Sequence, residues 1–232
     1  MQAFWQRRRQ GHGRQFGVIG LGRFGRSVCR TLKSMGCEVL GADKREDLVA
    51  AILEEGFVDH AVELDTTDPA ALREAGFLEF ETVIVAIGNY IEQSVITTLN
   101  LREGNVPNII AKASSDIHGR LLEKVGATRV VYPEKQMGEQ LARSLVRPNI
   151  IERLEVDPEN SSVEVKVPPA FVGKSIVDLK LRNEYGISVI AVGRPGSHFE
   201  INPNPTAPLE EGMMMWVIGS NDNLNRLMDL AP

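Results

Sequence analysis

The chain has 232 residues, of which 43% are hydrophobic and 25% charged, and its formal net charge at pH 7 is −5. This is the composition of a soluble globular protein with enough residues for one large or two modest domains. A chain with net negative charge is not built to bind nucleic acid, so we expect no such partner. The one basic cluster, three arginines at 7–9, lies in a polar segment over residues 1–14 that we expect to be a flexible leader.

The sequence also bears on the compartment. No apolar stretch follows the N-terminal arginines, as it would in a secretory signal. The apolar runs, such as residues 82–87, are far shorter than the about 20 residues of a membrane-spanning helix. We interpret Cys29 and Cys37 as reduced, weakly hydrophobic side chains and not as a disulfide or metal site. We therefore expect a cytoplasmic protein.

The first two thirds of the chain alternate short β-branched runs with segments of helical periodicity. Near-continuous apolar strands separated by amphipathic helices predict a Rossmann-type, doubly wound parallel sheet, over residues 15–148. Strands are predicted over 16–19, 38–42, 60–63, 82–86, 108–111 and 129–131, and helices over 23–35, 45–55, 69–75, 90–103, 116–125 and 134–145. A left-handed helix cap is predicted at each following glycine, namely Gly36, Gly56, Gly76, Gly104 and Gly126.

The pattern changes after Pro148, where apolar and polar residues alternate as in half-buried antiparallel strands. We predict a small α+β domain over residues 149–232. Its strands are predicted over 150–156, 162–167, 187–192, 198–201 and 213–218, and its helices over 175–182 and 221–230. The three consecutive methionines at 213–215 are predicted to belong to the core of the last strand.

A glycine motif links the first predicted strand to the first helix, with Gly20, Gly22 and Gly25 spaced as G-x-G-x-x-G. In a dinucleotide-binding turn the first glycine makes the tight turn, the second admits a phosphate and the third lets the helix pack on the sheet. The helix N-terminus would offer free N–H groups to an anion. Arg23 lies inside the motif, where it would meet the phosphates. The alternative is that the glycines only tighten the strand–helix turn.

The second predicted strand ends in Asp43, 18 residues after Gly25. Its carboxylate can accept hydrogen bonds from ribose hydroxyls and would repel a 2′-phosphate, which disfavours NADP. Lys44 and Arg45 follow directly, and a neighbouring base can accommodate that phosphate.

Further polar residues follow the later strands, at the edge where open α/β sheets bind ligands. Asp65 and Thr66 are candidates for the adenine and its ribose, and Lys112 is either a phosphate ligand or an ordinary solvated lysine. The predicted nucleotide-binding residues are Gly20, Gly22, Arg23, Phe24, Gly25, Asp43, Lys44, Arg45, Asp65, Thr66, Gly88, Asn89 and Lys112.

The sequence offers no group suited to catalysis. A dehydrogenase needs a proton-transfer side chain near the nicotinamide. The four histidines do not suggest one: His12 is in the leader, His60 opens the third strand away from the predicted ligand edge, His118 is on a helix and His198 is in a distal hairpin. We predict binding without turnover, no enzyme and no catalytic residue. The alternative is an NAD(H)-binding redox sensor or dehydrogenase-like enzyme.

Several stretches together resemble the RCK family, the regulators of K⁺ conductance, over nearly the whole chain after the leader. They are "FGVIGLGRFGRSVCRTLKSMGCEVLGAD", "VIVAIG", "VPNIIAKA", "LLEKVGATRVVYPEKQMGEQLA" and "VGKSIVDLKLRNEYGISVIAV". The resemblance implies a Rossmann lobe followed by a smaller C-terminal lobe. It also implies a regulatory subunit of a K⁺-uptake system, assembled as dimers and an octameric ring beneath a KtrB-like membrane subunit that it gates from the cytoplasmic face.

The same resemblance implies ligands. ATP and ADP would compete for the Rossmann site, with NAD(H) also bound in the wider family. Asp43 matches the ribose ligand, Lys112 a basic residue near the phosphates, and Arg23 a phosphate ligand that reaches the γ-phosphate of a neighbouring subunit. An arginine fork binds a phosphate more strongly than a neutral donor does, so such a residue can distinguish ATP from ADP.

Two further ligands follow from the resemblance. Glu134 matches an acid that holds a divalent cation or Na⁺ at the dimer interface, the alternative being an acid favoured by a helix N-terminus. Some members bind cyclic di-AMP in the C-terminal lobe, through a segment that here includes Leu181, Arg182 and Ile187. This chain departs from that pattern around Lys180 and Ser188, and Arg182 is equally well explained as a solvated residue at a helix end.

Overall fold

In a computed structural model of the chain, the structure describes residues 14–146 and 150–230. They fall into two compact units, one ending at Met137 and the other beginning at Gly138. The leader predicted over 1–14 lies outside the described residues except for Arg14. The predicted domain boundary between 148 and 149 lies in the gap and stays a prediction.

The N-terminal unit is built on a parallel sheet, with strand order β3-β2-β1-β4-β5-β6 in the part of the chain that the structure describes. The strands are β1 (Gln15–Ile19), β2 (Glu38–Asp43), β3 (His60–Glu63), β4 (Thr82–Val85), β5 (Asn108–Lys112) and β6 (Arg129–Val131). The helices are α1 (Arg23–Ser34), α2 (Glu46–Glu54), α3 (Pro69–Glu74), α4 (Ile91–Glu103) and α5 (Asp116–Lys124), with a 3₁₀ turn at Phe77–Glu79; a further helix, α6 (Pro133–Val146), begins in this unit and continues into the second. The chain winds outward from β1 to β3 and then returns to β4, so the predicted doubly wound sheet is confirmed.

The apolar strand residues are buried on both faces of this sheet. Val18 and Ile84 pack in one buried cluster with α1 and α2 residues, whereas their neighbours Ile19 and Val85 pack in another cluster on the opposite face. Successive strand residues point to opposite faces, and each fully buried side chain of this kind stabilises the fold by about 1.5–3 kcal/mol. Burial on both faces explains why the strands read as continuous apolar runs.

The predicted glycine caps are confirmed at four of five positions. Gly36, Gly56, Gly76 and Gly126 have positive φ angles between 69° and 110°. Gly104 differs: its φ is −74°, and the next residue, Asn105, takes the left-handed conformation with φ 61°. Asparagine tolerates that conformation better than most residues do. A Cβ on Gly104 would lie 2.5 Å from the side chain of Leu78, so close packing explains this glycine instead.

The second unit contains an antiparallel sheet with strand order β10-β9-β11-β8-β7 among the described residues. Its strands are β7 (Ile150–Glu155), β8 (Asn160–Lys166), β9 (Ile187–Gly193), β10 (Glu200–Ile201) and β11 (Met214–Ser220), and its helices are α7 (Ile176–Leu179), α8 (Leu181–Glu184) and α9 (Asn221–Met228). The helix predicted over 175–182 is two short helices, because Lys180 has a φ of 48°. The core prediction for the methionines is confirmed for Met214 and Met215, which are fully buried, whereas Met213 precedes β11 and is only partly buried against the core.

Among the described residues, no helix combines the length and the apolar character that crossing a bilayer requires.

The turn between β1 and α1 sets how closely the helix approaches the sheet. Gly20 has a φ of 93°, which suits glycine. A Cβ on Gly25 would lie 1.9 Å from the carbonyl oxygen of Gly20, so the helix can pack here only with a glycine. Gly22, the residue before α1, has a φ of −68°, and a Cβ there would have no atom within 4 Å. Packing therefore requires the glycine at position 25, whereas Gly22 borders open space.

We predict that Gly25→Ala destabilises the N-terminal unit by about 2–3 kcal/mol or more, because backbone atoms must move to admit the methyl group. Gly22→Ala is the matched control and is expected to cost less than about 1 kcal/mol, the difference between glycine and alanine before a helix. Urea unfolding of the two variants checks this. Equal losses of stability would contradict the packing role of Gly25.

Candidate functional site

The carboxyl ends of the parallel strands lie at one edge of the N-terminal sheet. Ile19 pairs with Ala42 of β2 and Val85 of β4, and Val85 pairs with Ala111 of β5. The residues that follow these positions, among them Gly20, Asp43, Gly88 and Lys112, are therefore brought to the same edge. The strand order reverses between β1 and β4, and ligands of open α/β sheets bind at such a switch point. His60 starts β3 and so lies at the opposite edge, as predicted.

Asp43 is fixed by two backbone hydrogen bonds. Its Oδ2 accepts from the N–H of Leu21 at 2.7 Å, and its Oδ1 accepts from the N–H of Arg45 at 2.9 Å. Each carboxylate oxygen can accept a further hydrogen bond. Asp43 therefore holds the β1 and β2 turns together and keeps acceptor capacity for a ribose hydroxyl.

The first turn of α1 contains two arginines with different surroundings. Arg23 is exposed, and within residues 14–146 and 150–230 its side chain has no hydrogen bond or ion pair. Arg26 is ion-paired with Glu55, the residue after α2. Because Gly22 borders open space, the free guanidinium of Arg23 and the unpaired N–H groups of the first turn adjoin a region that an anion can enter.

The two bases after Asp43 are both engaged by carboxylates. Lys44 Nζ lies 2.8 Å from Asp65 Oδ2, and Arg45 is ion-paired with Asp47. The hydrogen bond from Lys44, followed by those from Thr67, lowers the pKa of Asp65 to about 2. Asp65 is therefore ionised at neutral pH. Lys44 and Arg45 each already have a carboxylate partner, so neither offers an unpaired positive charge to a ligand phosphate.

Thr66, predicted to bind the adenine or its ribose, has its side chain in the protein interior. Its side chain is buried, and its Oγ1 lies 2.7 Å from Oγ1 of Thr97 on α4. Asn100 supports the same loop by donating to the carbonyl oxygen of Thr67 at 2.9 Å. Asp65 is the member of the predicted pair that is exposed at the sheet edge.

Lys112 lies in a cluster with Phe24, Gly88 and Glu134, which the sequence alone did not group together. Its Nζ lies 2.6 Å from Oε1 of Glu134 and 5.8 Å from the ring centroid of Phe24. A Cβ on Gly88 would lie 2.9 Å from the same Nζ. The Lys112 side chain is only 12% exposed, whereas that of Glu134 is 69% exposed. The hydrogen bond from Lys112 lowers the pKa of Glu134.

Two further residues considered from the sequence, Asn89 and His118, lie in different surroundings. Asn89 is exposed in the loop after β4. His118 is buried on α5, its Nδ1 accepts from the N–H of Ser114 at 3.2 Å, and burial lowers its pKa.

No group of three or more His, Cys, Asp or Glu side chains suited to a metal ion occurs in the described ranges. Glu134 alone is an incomplete metal site, so its predicted cation stays a prediction that needs further oxygen ligands.

Family models match both parts of the chain. The TrkA-N domain matches residues 16–133, and the TrkA-C domain matches residues 161–231. The solved RCK domain of GsuK superposes with a TM-score of 0.66 at 22% identity, covering 98% of this chain and 52% of that chain. At this identity the likeness shows the fold.

Curated relatives extend the likeness over nearly the whole chain. The Ktr system potassium uptake protein C of Bacillus subtilis is 38% identical over 92% of this chain and 95% of its own length. The Ktr system potassium uptake protein A of the same organism is 39% identical with the same coverage. The chain therefore belongs to the RCK family as a protein of the Ktr potassium-uptake type, with one TrkA-N and one TrkA-C domain.

Proposed function

We propose that this chain is the regulatory subunit of a K⁺-uptake system, that it binds ATP and ADP at the carboxyl edge of its N-terminal sheet, and that it thereby controls a KtrB-like membrane subunit. The observation that carries the nucleotide proposal is the combination of Arg23, whose side chain has no hydrogen-bond or ion-pair partner among the described residues, with open space at Gly22. The K⁺-uptake part is supported by the relatives in the Ktr systems.

The chemistry of this edge fits a nucleotide with its ribose and phosphates at different places. Asp43 supplies an acceptor for ribose hydroxyls, with its orientation fixed by the N–H groups of Leu21 and Arg45. The first turn of α1 supplies N–H donors and the positive end of a helix dipole to the phosphates. Arg23 adds a bidentate donor that an additional phosphate can engage. These groups bind and orient, and we propose no chemical step for them.

A cation is proposed together with the nucleotide. Glu134 supplies one carboxylate, and a hard cation such as Mg²⁺ commonly completes its ligand set with water and substrate phosphates. The identity of the ion, divalent or Na⁺, is left to experiment.

Assembly with copies of the same chain is proposed from an apolar stripe on α6. Met137, Leu141 and Leu145 are spaced by four residues and so share one helix face, and they are 63%, 58% and 73% exposed. A stripe of large apolar side chains of this kind is typical of a surface that another chain covers. We propose a homodimer, with the octameric ring as the larger assembly. Through its membrane subunit, this assembly would lie at the cytoplasmic face of the membrane.

Cyclic di-AMP stays a proposal for the second unit. Of the three residues that suggested it, Leu181 and Ile187 are buried in the core, and Arg182 is exposed and donates to Oγ of Ser188 at 3.3 Å. Arg182 is therefore the residue of this set that a ligand can reach directly.

Isothermal titration of the full chain with ATP, ADP and NADH tests the proposal. We expect saturable binding of both adenine nucleotides at millimolar concentrations or below. Binding of NADH alone would support the redox-sensor alternative and contradict the proposal. Co-purification with a K⁺-translocating membrane subunit tests the partner, and failure of the two proteins to associate would contradict that part.

We predict that Arg23→Ala weakens ATP binding more than ADP binding, because only ATP has the phosphate that the guanidinium is proposed to engage. Hydrogen bonds to charged groups contribute about 1.5–3 kcal/mol, which corresponds to a loss of roughly 10–100-fold for ATP. Arg26→Ala is the matched control, since Arg26 is already paired with Glu55 and should leave both affinities nearly unchanged. Equal losses for ATP and ADP in the Arg23 variant would contradict its proposed role.

We also predict that Asp65→Asn weakens the discrimination against nucleotides carrying a 2′-phosphate. The change removes the counter-charge of Lys44, which then becomes available to that phosphate. An exposed pair of this kind is worth up to about 1 kcal/mol, so the ratio of ADP to 2′-phospho-ADP affinity should fall by about twofold to fivefold. Because the pKa of Asp65 is about 2, protonation of this carboxyl adds no pH dependence to the wild-type ratio above about pH 4; ionisation of the 2′-phosphate itself, with a second pKa of about 6, is the change expected there. An unchanged ratio in the variant would show that the Lys44–Asp65 pair has no part in selectivity.

A further inference from the structure

Lys112 is the most enclosed cation described at the ligand edge, and it is held from three sides. Its Nζ approaches Gly88 so closely that a Cβ there would lie 2.9 Å away, and it faces the ring of Phe24 at 5.8 Å. Its third neighbour is Glu134, with 2.6 Å between Nζ and Oε1. Phe24 belongs to the first turn of α1, so the ammonium group is directed toward the turn where the phosphates are proposed to bind.

The two members of this ion pair differ in how freely they can move. Lys112 is 12% exposed and is packed against Gly88 and Phe24, so its ammonium group has little room to leave. Glu134 is 69% exposed, and its carboxylate can swing into water at small cost. A buried ammonium that loses its counter-charge is destabilised unless another anion replaces it. An incoming phosphate is such an anion.

We propose that Glu134 is an internal competitor for the nucleotide phosphate: in the free chain its carboxylate occupies Lys112, and a bound nucleotide must displace it. This inference rests on the proposed nucleotide site and adds to it a residue that determines selectivity. The displacement leaves the charge of Lys112 neutralised at every stage. It also releases Glu134 beside the phosphates, where the proposed cation would need a carboxylate.

The competition makes binding depend on ligand charge. The carboxylate of Glu134 repels phosphates and withholds Lys112 from them, so it weakens binding of every phosphorylated ligand. An uncharged nucleoside meets neither effect. A ligand must therefore displace Glu134 with its own phosphates, because the adenosine moiety carries no charge that could replace the carboxylate at Lys112.

The test is the affinity of the full chain for ADP and for adenosine in EDTA, with Glu134→Gln as the variant. Glutamine keeps the size and an acceptor oxygen but removes the charge. We expect ADP to bind about threefold to tenfold more tightly than to the wild type, and adenosine to bind unchanged. The same substitution in a Lys112→Met background should give a clearly smaller gain for ADP, because only the repulsion between the carboxylate and the phosphates is then removed. Glu210→Gln is the matched control, because it removes the charge of an exposed acid paired with Arg194 in the other unit and should change neither affinity.

The outcomes separate this inference from the proposed function. If the wild type binds no adenine nucleotide, the proposed function fails, and this inference fails with it. If the wild type binds ADP but Glu134→Gln binds it equally or more weakly in EDTA, the inference alone is overturned. A gain of undiminished size in the Lys112→Met background would also overturn it, since the competition requires Lys112. Thermal unfolding of each variant confirms that it is folded, and Glu134→Ala provides a second variant with the charge removed.

Discussion

Two hydrogen bonds to one carboxylate define the ligand edge of this protein. Asp43 accepts from the N–H groups of Leu21 and Arg45, and so fixes the turn after β1 against the turn after β2. The first of these turns also needs the positive φ of Gly20 and the missing side chain of Gly25, which lets α1 start close to the sheet. The residue proposed to bind ribose is therefore also a structural residue. Its substitution should be interpreted with a stability measurement beside the binding measurement.

The arrangement of charge at this edge explains how a site rich in cations can still be selective. Arg26, Lys44, Arg45 and Lys112 each have a carboxylate partner, and Arg23 has none among residues 14–146 and 150–230. Paired cations attract an additional anion weakly, because the partner carboxylate repels it. A phosphate near Arg23 gains a new ion pair, whereas one near Lys112 must exchange with Glu134. A site with this distribution would respond to where a ligand carries its charge, which is the property that the proposed nucleotide-sensing role needs.

The fold could be predicted from the sequence because each element is specified locally. The alternation of apolar strands with amphipathic helices gave the strands to within about two residues in the N-terminal unit, and the glycine motif gave the turn after β1. The Lys112–Glu134 pair could not be predicted, because the two residues are separated by 22 positions and come into contact only when β5 and the start of α6 pack side by side. The inward orientation of Thr66 was missed for the same reason, since its partner lies on α4. Local periodicity predicts elements, and long-range packing decides which side chains remain free for a ligand.

The central claim is that a nucleotide binds with its phosphates at the first turn of α1. Hydrogen exchange of the full chain with and without saturating ADP tests it most directly, because the N–H groups of Arg23, Phe24 and Gly25 precede the first hydrogen bond of the helix and have no partner in the part of the chain that the structure describes. We predict that ADP slows exchange in the segment over residues 20–26, with a smaller effect at 43–45, where the N–H of Arg45 is already bonded. Unchanged exchange over residues 20–26, or slowing confined to the second unit, would contradict the claim.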